Sequence, residues 1–213
     1  FILVDLPGTY SLFANSVDEE VARDFICSGK PLVTVVVADA TCLERNLNLV
    51  LQIMEITNNV VLCVNLLDEA KRKKIQVDLS DLSNLLGIPV IGTNARDGLG
   101  LEALKDAVYQ VALGEIRPQP LRVRYGAAVE DCLNLLEPIV QEFAEKSVNS
   151  RWAALRLLDG DKDKDTDIKA EAALTQFPFF KIDESKKKAD ALALKQLTDA
   201  LVLTDQILVQ DNL

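Results

Sequence analysis

Apolar residues fall in four short runs, separated by longer segments in which they recur every three or four positions. The runs cover residues 1–4, 32–38, 60–64 and 89–91. Each is rich in Val, Ile and Leu and apolar on both faces, as strands buried in a parallel sheet are. Between them, residues 18–26, 43–56, 79–86 and 101–111 read as amphipathic helices. In the second of these, Leu43, Leu47, Val50, Leu51 and Met54 make a single helical face. Residues 68–78 add a charged turn of helix and an extended piece. The alternation predicts an α/β domain with a doubly wound, mostly parallel sheet. Right-handed crossovers put helices on both faces, and ligands of such sheets bind beyond the carboxyl ends of the strands.

The pattern changes after Gly114. A connector carrying Pro118 and Pro120 leads into helical periodicity over residues 127–146, 151–158 and 186–209, with an acidic stretch at 159–167. Pro138 and Pro178 are predicted to break or kink their helices. The expected division is residues 1–117 for the α/β domain and 118–213 for a small all-α domain.

Composition narrows the function. A chain of 213 residues with 49% hydrophobic and 26% charged residues can bury a proper core, and at 5% aromatic content that core is aliphatic. A net charge of −10 argues against nucleic acid as the main partner, because a phosphate backbone needs clustered Lys and Arg. A mononucleotide is compatible, since a few backbone amides and one metal ion suffice. Cys27, Cys42, Cys63 and Cys132 form no CxxC pair, and there is no histidine, so a zinc site is not expected and the thiols read as free. No apolar stretch approaches the roughly 20 residues of a membrane span, and the chain reads as a soluble piece.

Candidate chemistry sits at the strand ends. The first run ends in Asp5-Leu6-Pro7-Gly8 and Thr9. A carboxylate leaving a strand can hold a water on Mg²⁺, and a glycine three residues on lets its N–H approach a γ-phosphate. Alone, DxxG also arises at an ordinary tight turn. The third run ends in Asn65-Leu66-Leu67-Asp68. A buried carboxylate there can accept from N1–H and N2–H of guanine, and losing both bonds would cost about 3–6 kcal/mol. Asn65 would brace neighbouring loops and approach the purine N7. The fourth run ends in Gly92-Thr93-Asn94-Ala95, where Ala95 can offer its N–H to guanine O6. Order decides the reading, because all three segments end strands of one alternating pattern.

DLPGTYSL, VDEEVARDFI, VVADATCLERNLNLVLQI, NLLDEAKRKKIQVD and RWAALRLLDGD together resemble the cytoplasmic region of the FeoB family of prokaryotic ferrous iron transporters. The resemblance runs from Phe1 to about Asp161. It implies a Ras-like G domain, incomplete at its N-terminus, followed by a helical coupling domain. It also implies GTP and GDP binding with slow hydrolysis and Mg²⁺ at the phosphates. Asp5 would then hold Mg²⁺ through water, with Gly8 and Thr9 in the γ-phosphate switch. Asn65 and Asp68 would read guanine beside Asn94 and Ala95. A pore domain in the bacterial inner membrane, elsewhere in the parent protein, would be the partner. A monovalent cation and a homo-oligomer are left open.

Three departures stand out. The GxxxxGK[ST] loop is expected upstream of Phe1, so these residues alone are expected to bind nucleotide poorly and to be inactive. Leu66 stands where many GTPases carry a lysine, and Asn94 replaces the usual serine, which leaves the Ala95 contact less well supported. Thr9 is a poor substitute for a water-orienting glutamine, so hydrolysis is expected to be slow.

Two weaker signals carry no site. Asp161, Asp163 and Asp165 have calcium-loop spacing, but Thr166 and Ala172 stand where glycine and glutamate are required. Lys186–Lys188 read as a solvated basic face. Two other classes remain as alternatives: a nucleotide-incompetent interaction module, if Phe1 is the start, and an ATP-dependent kinase, against which NxxD speaks.

Overall fold

The computed structural model describes residues 2–12, 16–143, 148–158, 195–197, 199–201 and 204. The chain divides into two compact units, Phe1–Val123 and Arg124–Leu213. The first is built on strands β1 (Thr34–Asp39), β2 (Val60–Asn65) and β3 (Val90–Gly92), all parallel in the order β1-β2-β3. Helices α1 (Val17–Ser28), α2 (Leu43–Ile56), α3 (Leu67–Arg72), α4 (Leu79–Leu86) and α5 (Leu101–Ala112) surround it. Register aligns Asp39 with Asn65, so the strand ends share one rim.

β2 is central, and Val60, Val61, Leu62, Cys63 and Val64 are all buried, as a continuous apolar run demands. α5 covers Val61 through Ala107 and Val111, joined by Val33, Ile91, Leu104 and Val108. On the edge strand β1, Val36 and Ala38 are buried while Val37 is 63% exposed.

The expected strand at residues 1–4 is not found among the described residues. Residues 2–9 carry no ladder, and Ile2 and Leu3 are each 93% exposed. A strand exists only by exchanging backbone bonds with a neighbour, and these residues do not take the open edge of β1. Asp5 therefore does not leave a strand at the rim.

Local chemistry sets the helix ends. Ser16 caps α1 by accepting from the Glu19 N–H, with Asp18, Glu19 and Glu20 in the favourable first turn. Asp78 caps α4 by accepting from the Asp81 N–H. α4 stops at Gly87, whose φ of 68° needs glycine, and a Cβ there would lie 1.9 Å from the Gln119 carbonyl oxygen.

The second unit contains α6 (Ala127–Phe143) and α7 (Ser150–Leu158). Cys132, Leu133, Leu136, Val140, Trp152, Ala153, Leu157 and Leu197 are buried. Arg151 donates both Nη groups to the Glu130 carboxylate, at 3.1 and 2.7 Å, which joins α7 to α6. Pro138 does not break α6. It lies on the exposed side of the helix, where water can take the carbonyl that its missing N–H would have bonded. The acidic stretch 159–167 and Pro178 lie outside the described residues, as does most of the helix expected at 186–209.

Candidate functional site

The rim above β2 and β3 is tied together by two asparagine side chains acting in opposite directions. Asn65, the last residue of β2, accepts at Oδ1 from the Thr93 hydroxyl and from the Ala95 N–H, both at 3.0 Å. Because Ala95 N–H can only donate, the amide orientation follows, and the Nδ2 donors of Asn65 remain for another partner. In return, Asn94 Oδ1 accepts from the Asp68 N–H at 3.0 Å. The Thr93 hydroxyl also sits 3.3 Å from Cys63 Sγ, and since it donates to Asn65 it must accept from the thiol. Cys63, Thr93 and Asn65 thus form a polarised chain running from the core to the rim.

Backbone geometry makes the clasp possible. Leu66 adopts φ 62°, ψ 36°, a left-handed turn that is strained for a leucine and swings the chain off β2 directly into α3. That places Asp68 in the first turn of α3, where an N–H has no intrahelical acceptor. Asn94 supplies one. Thr93 is bonded to Val64 O at 2.8 Å, and the loop closes through paired Asn94 and Leu99 backbone bonds. Gly100 permits the return, since a Cβ there would lie 2.2 Å from the Gly92 carbonyl oxygen.

One sequence expectation needs correcting. The Asp68 carboxylate is not buried: its side chain is 40% exposed and pairs with Arg72 Nη2 at 3.2 Å. It projects from the outward turn of a helix one face of which returns to water. The Ala95 N–H is donated to Asn65, so a purine oxygen must share or displace that bond. Asn94, which stands in place of the usual serine, ties this loop to Asp68 through its Oδ1.

Asp5, Gly8 and Thr9 are not joined to this clasp by any described hydrogen bond. Thr9 Oγ1 donates to the Ser11 carbonyl and accepts from the Ser11 N–H at 3.2 Å, so the hydroxyl is committed to a local turn. Gly8 has neither a positive φ nor a neighbour within 4 Å of a built Cβ, so the fold does not require glycine there. Among the described residues no group of three or more Asp, Glu, Cys or His could cage a metal. Asp5 is exposed and belongs to no such group, so it does not fit a protein-built metal centre.

Sequence reasoning missed Asp39. It ends β1 beside Asn65, and its carboxyl is held below the usual range, chiefly by the Thr41 N–H and then by the Thr41 hydroxyl, against the opposing effect of burial. Its own N–H donates to Asn46 Oδ1 at 2.9 Å, a bond spanning two turns of LERN-bearing chain. A strand-terminal aspartate followed by a helical Asn was the available signal.

A parallel sheet with its polar clasp at the carboxyl rim, followed by a helical unit, defines a G-domain-type α/β protein with an appended helical domain. Residues 1–108 match the family described as ferrous iron transport protein B, and residues 125–202 match the FeoB cytosolic helical domain. The chain belongs to the ferrous iron transport protein B (FeoB) family. The FeoA/FeoB fusion protein of Porphyromonas gingivalis is 36% identical over 172 residues, 76% of this chain and 20% of its own length. The chain thus spans about a fifth of the length of the curated relatives it matches. The cytosolic domain of the T. maritima FeoB iron transporter, crystallised with GDP and with GMPPNP, is similar with a TM-score of 0.67 and 30% identity. That alignment covers 95% of this chain and 77% of the other. The FeoB G-domain of Methanococcus jannaschii is 46% identical, with a TM-score of 0.51, over 52% of this chain and 70% of its own. Among the described residues no helix is long and apolar enough to cross a membrane.

Proposed function

We propose that this chain is the guanine-nucleotide switch of a ferrous iron transporter, regulating Fe²⁺ passage through a pore domain in the rest of the parent protein. The observation that carries the reading is the reciprocal clasp between Asn65–Asp68 and Thr93–Ala95 at the sheet rim of a FeoB-family chain. In it, Asp68 accepts from the guanine N1–H and N2–H, and the Asn65 Nδ2 donors face the N7 edge. The Ala95 N–H is shared between Asn65 Oδ1 and the guanine O6. An adenine lacks the two donors that Asp68 requires.

Asp5, Gly8 and Thr9 act on the phosphate side. Open space around Gly8 leaves its N–H unobstructed for a γ-phosphate. Mg²⁺ supplies charge neutralisation at the phosphates, with Asp5 behind a bound water. Thr9 orients water poorly because its hydroxyl serves Ser11, so hydrolysis is slow without a monovalent cation or a partner group. A full phosphate cradle needs a GxxxxGK[ST] loop, and none occurs in residues 1–213. The alternative is a coupling module that binds no nucleotide.

Fluorescent GDP and ADP, titrated into these 213 residues and into a form carrying about 50 more upstream residues of the parent, separate the readings. The longer form binds GDP and not ADP. In it, Asp68→Asn shifts preference toward xanthine nucleotides. Unchanged GDP affinity in that variant defeats the assignment, and silence of the longer form favours the coupling module.

A further inference from the structure

Helix α2 is gripped by two segments with separate functions. Near its middle, Gln52 Oε1 accepts from the Leu12 N–H at 2.7 Å, and Arg45 lies over the Tyr10 ring at 4.5 Å, so the helix holds the residues that follow Gly8 and Thr9. At its last turn, Arg122 donates to the Met54 carbonyl at 3.1 Å and to Asn58 Oδ1 at 2.6 Å, and the Val123 N–H donates to Glu55 Oε1 at 3.2 Å. Val123 is the last residue of the first unit. One rigid helix of 14 residues therefore touches both the segment behind DxxG and the point where the chain leaves the unit.

Glu55 is an odd choice of anchor. It is only 6% exposed, and Oε2 is buried without a hydrogen-bond partner. It also sits at the carbonyl-rich, negative end of α2, where a carboxylate is disfavoured. A buried carboxylate with one bond made and one oxygen bare costs free energy to hold out of water, which favours an arrangement that returns it to solvent. A rigid element with two such discrete arrangements is what energetic coupling between sites requires.

We propose that Glu55 is a releasable latch, and that α2 carries displacement of residues 8–12 to Val123 by making or breaking the Glu55–Val123 bond. The proposal rests on the switch reading above and gives it a route out of the first unit.

Amide exchange at residues 119–123 tests the latch without nucleotide. Glu55→Gln keeps the acceptor, removes the bare charge and can donate to helix-end carbonyls, so exchange at Val123 slows about tenfold, whereas Glu55→Ala speeds it about tenfold. Faster exchange in both variants makes Glu55 an ordinary structural contact and overturns the latch. The upstream-extended form tests the coupling. Exchange at Val123 differs at least about threefold between its GDP and GMPPNP states, and Gln52→Ala abolishes the difference with GDP affinity unchanged. A difference that survives Gln52→Ala overturns the route through α2. Failure of the extended form to bind guanine nucleotide overturns the switch reading, and the coupling with it, while the Glu55 comparison still decides the latch.

Discussion

The two halves of the proposed nucleotide site are built in contrasting ways. Asn65 ends strand β2, Asp68 follows it in α3, Asn94 and Ala95 follow strand β3, and all four are cross-bonded by two amide side chains. Asp5, Gly8 and Thr9 stand on a segment with no ladder, whose described bonds to α1 and α2 begin at Tyr10. The first half is fixed by the fold before any ligand arrives, which spares the ordering entropy of binding. Residues 2–9 carry no such ladder, and under the proposed function that suits a segment that must reorder around a γ-phosphate.

Breaking the first half should start at its foundation. Leu62→Ala, at the buried centre of β2, should lower stability by about 2–5 kcal/mol in urea denaturation. Amide exchange should then rise at 93–95 and stay unchanged at 2–9, because only the former hangs on the ladder. A parallel rise at both would erase the contrast. Asn65→Ala leaves β2 intact but removes the acceptor for two donors, and should cost about 1–3 kcal/mol with faster exchange at the Ala95 amide.

The second half should answer differently. Gly8→Ala meets open space, so its stability should stay within about 0.5 kcal/mol of the parent. GDP affinity of the upstream-extended form should change little as well, while GMPPNP affinity falls, because only the γ-phosphate needs the bare amide. Equal loss for both nucleotides would place Gly8 outside the switch.

The same contrast governed what could be read from the sequence. β2 and α2 were legible because apolar runs and three-to-four spacing report burial, and residues 43–56 emerge as α2 without adjustment. The run at 1–4 is as apolar as β2, yet its described residues 2–4 form no strand, since composition reports the capacity to pair and not the presence of a partner. Asn65 and Asp68 were visible as a motif, whereas the reversed bond from Asp68 N–H to Asn94 depends on the left-handed turn at Leu66, which no periodicity encodes. Glu55 and Arg122 were invisible for another reason. Their partners are 68 residues away, and a charged residue on an amphipathic helix ordinarily reads as solvent-facing.

The smallest expected effect compares the two units through acid. Asp39 in the first unit has its carboxyl held low chiefly by the Thr41 N–H. Glu130 in the second is held low chiefly by the Arg151 guanidinium, then by the Tyr125 N–H. In both, folding favours the charged form, so the unfolded chain binds protons more readily than the native one. Each contribution is fully present above the ordinary carboxylate range of about 4, and is lost as pH falls through the lower native value. Both groups lie near solvent, so the effect is modest. Thermal midpoints followed from pH 6 down to about 2.5 should therefore fall below pH about 4. Asp39→Asn should flatten the acid limb of the first unit alone, and Glu130→Gln that of the second alone. If either variant keeps the parent's acid slope, its carboxylate is no better held in the native fold than in the unfolded chain. If each flattens both limbs, the two units unfold as one.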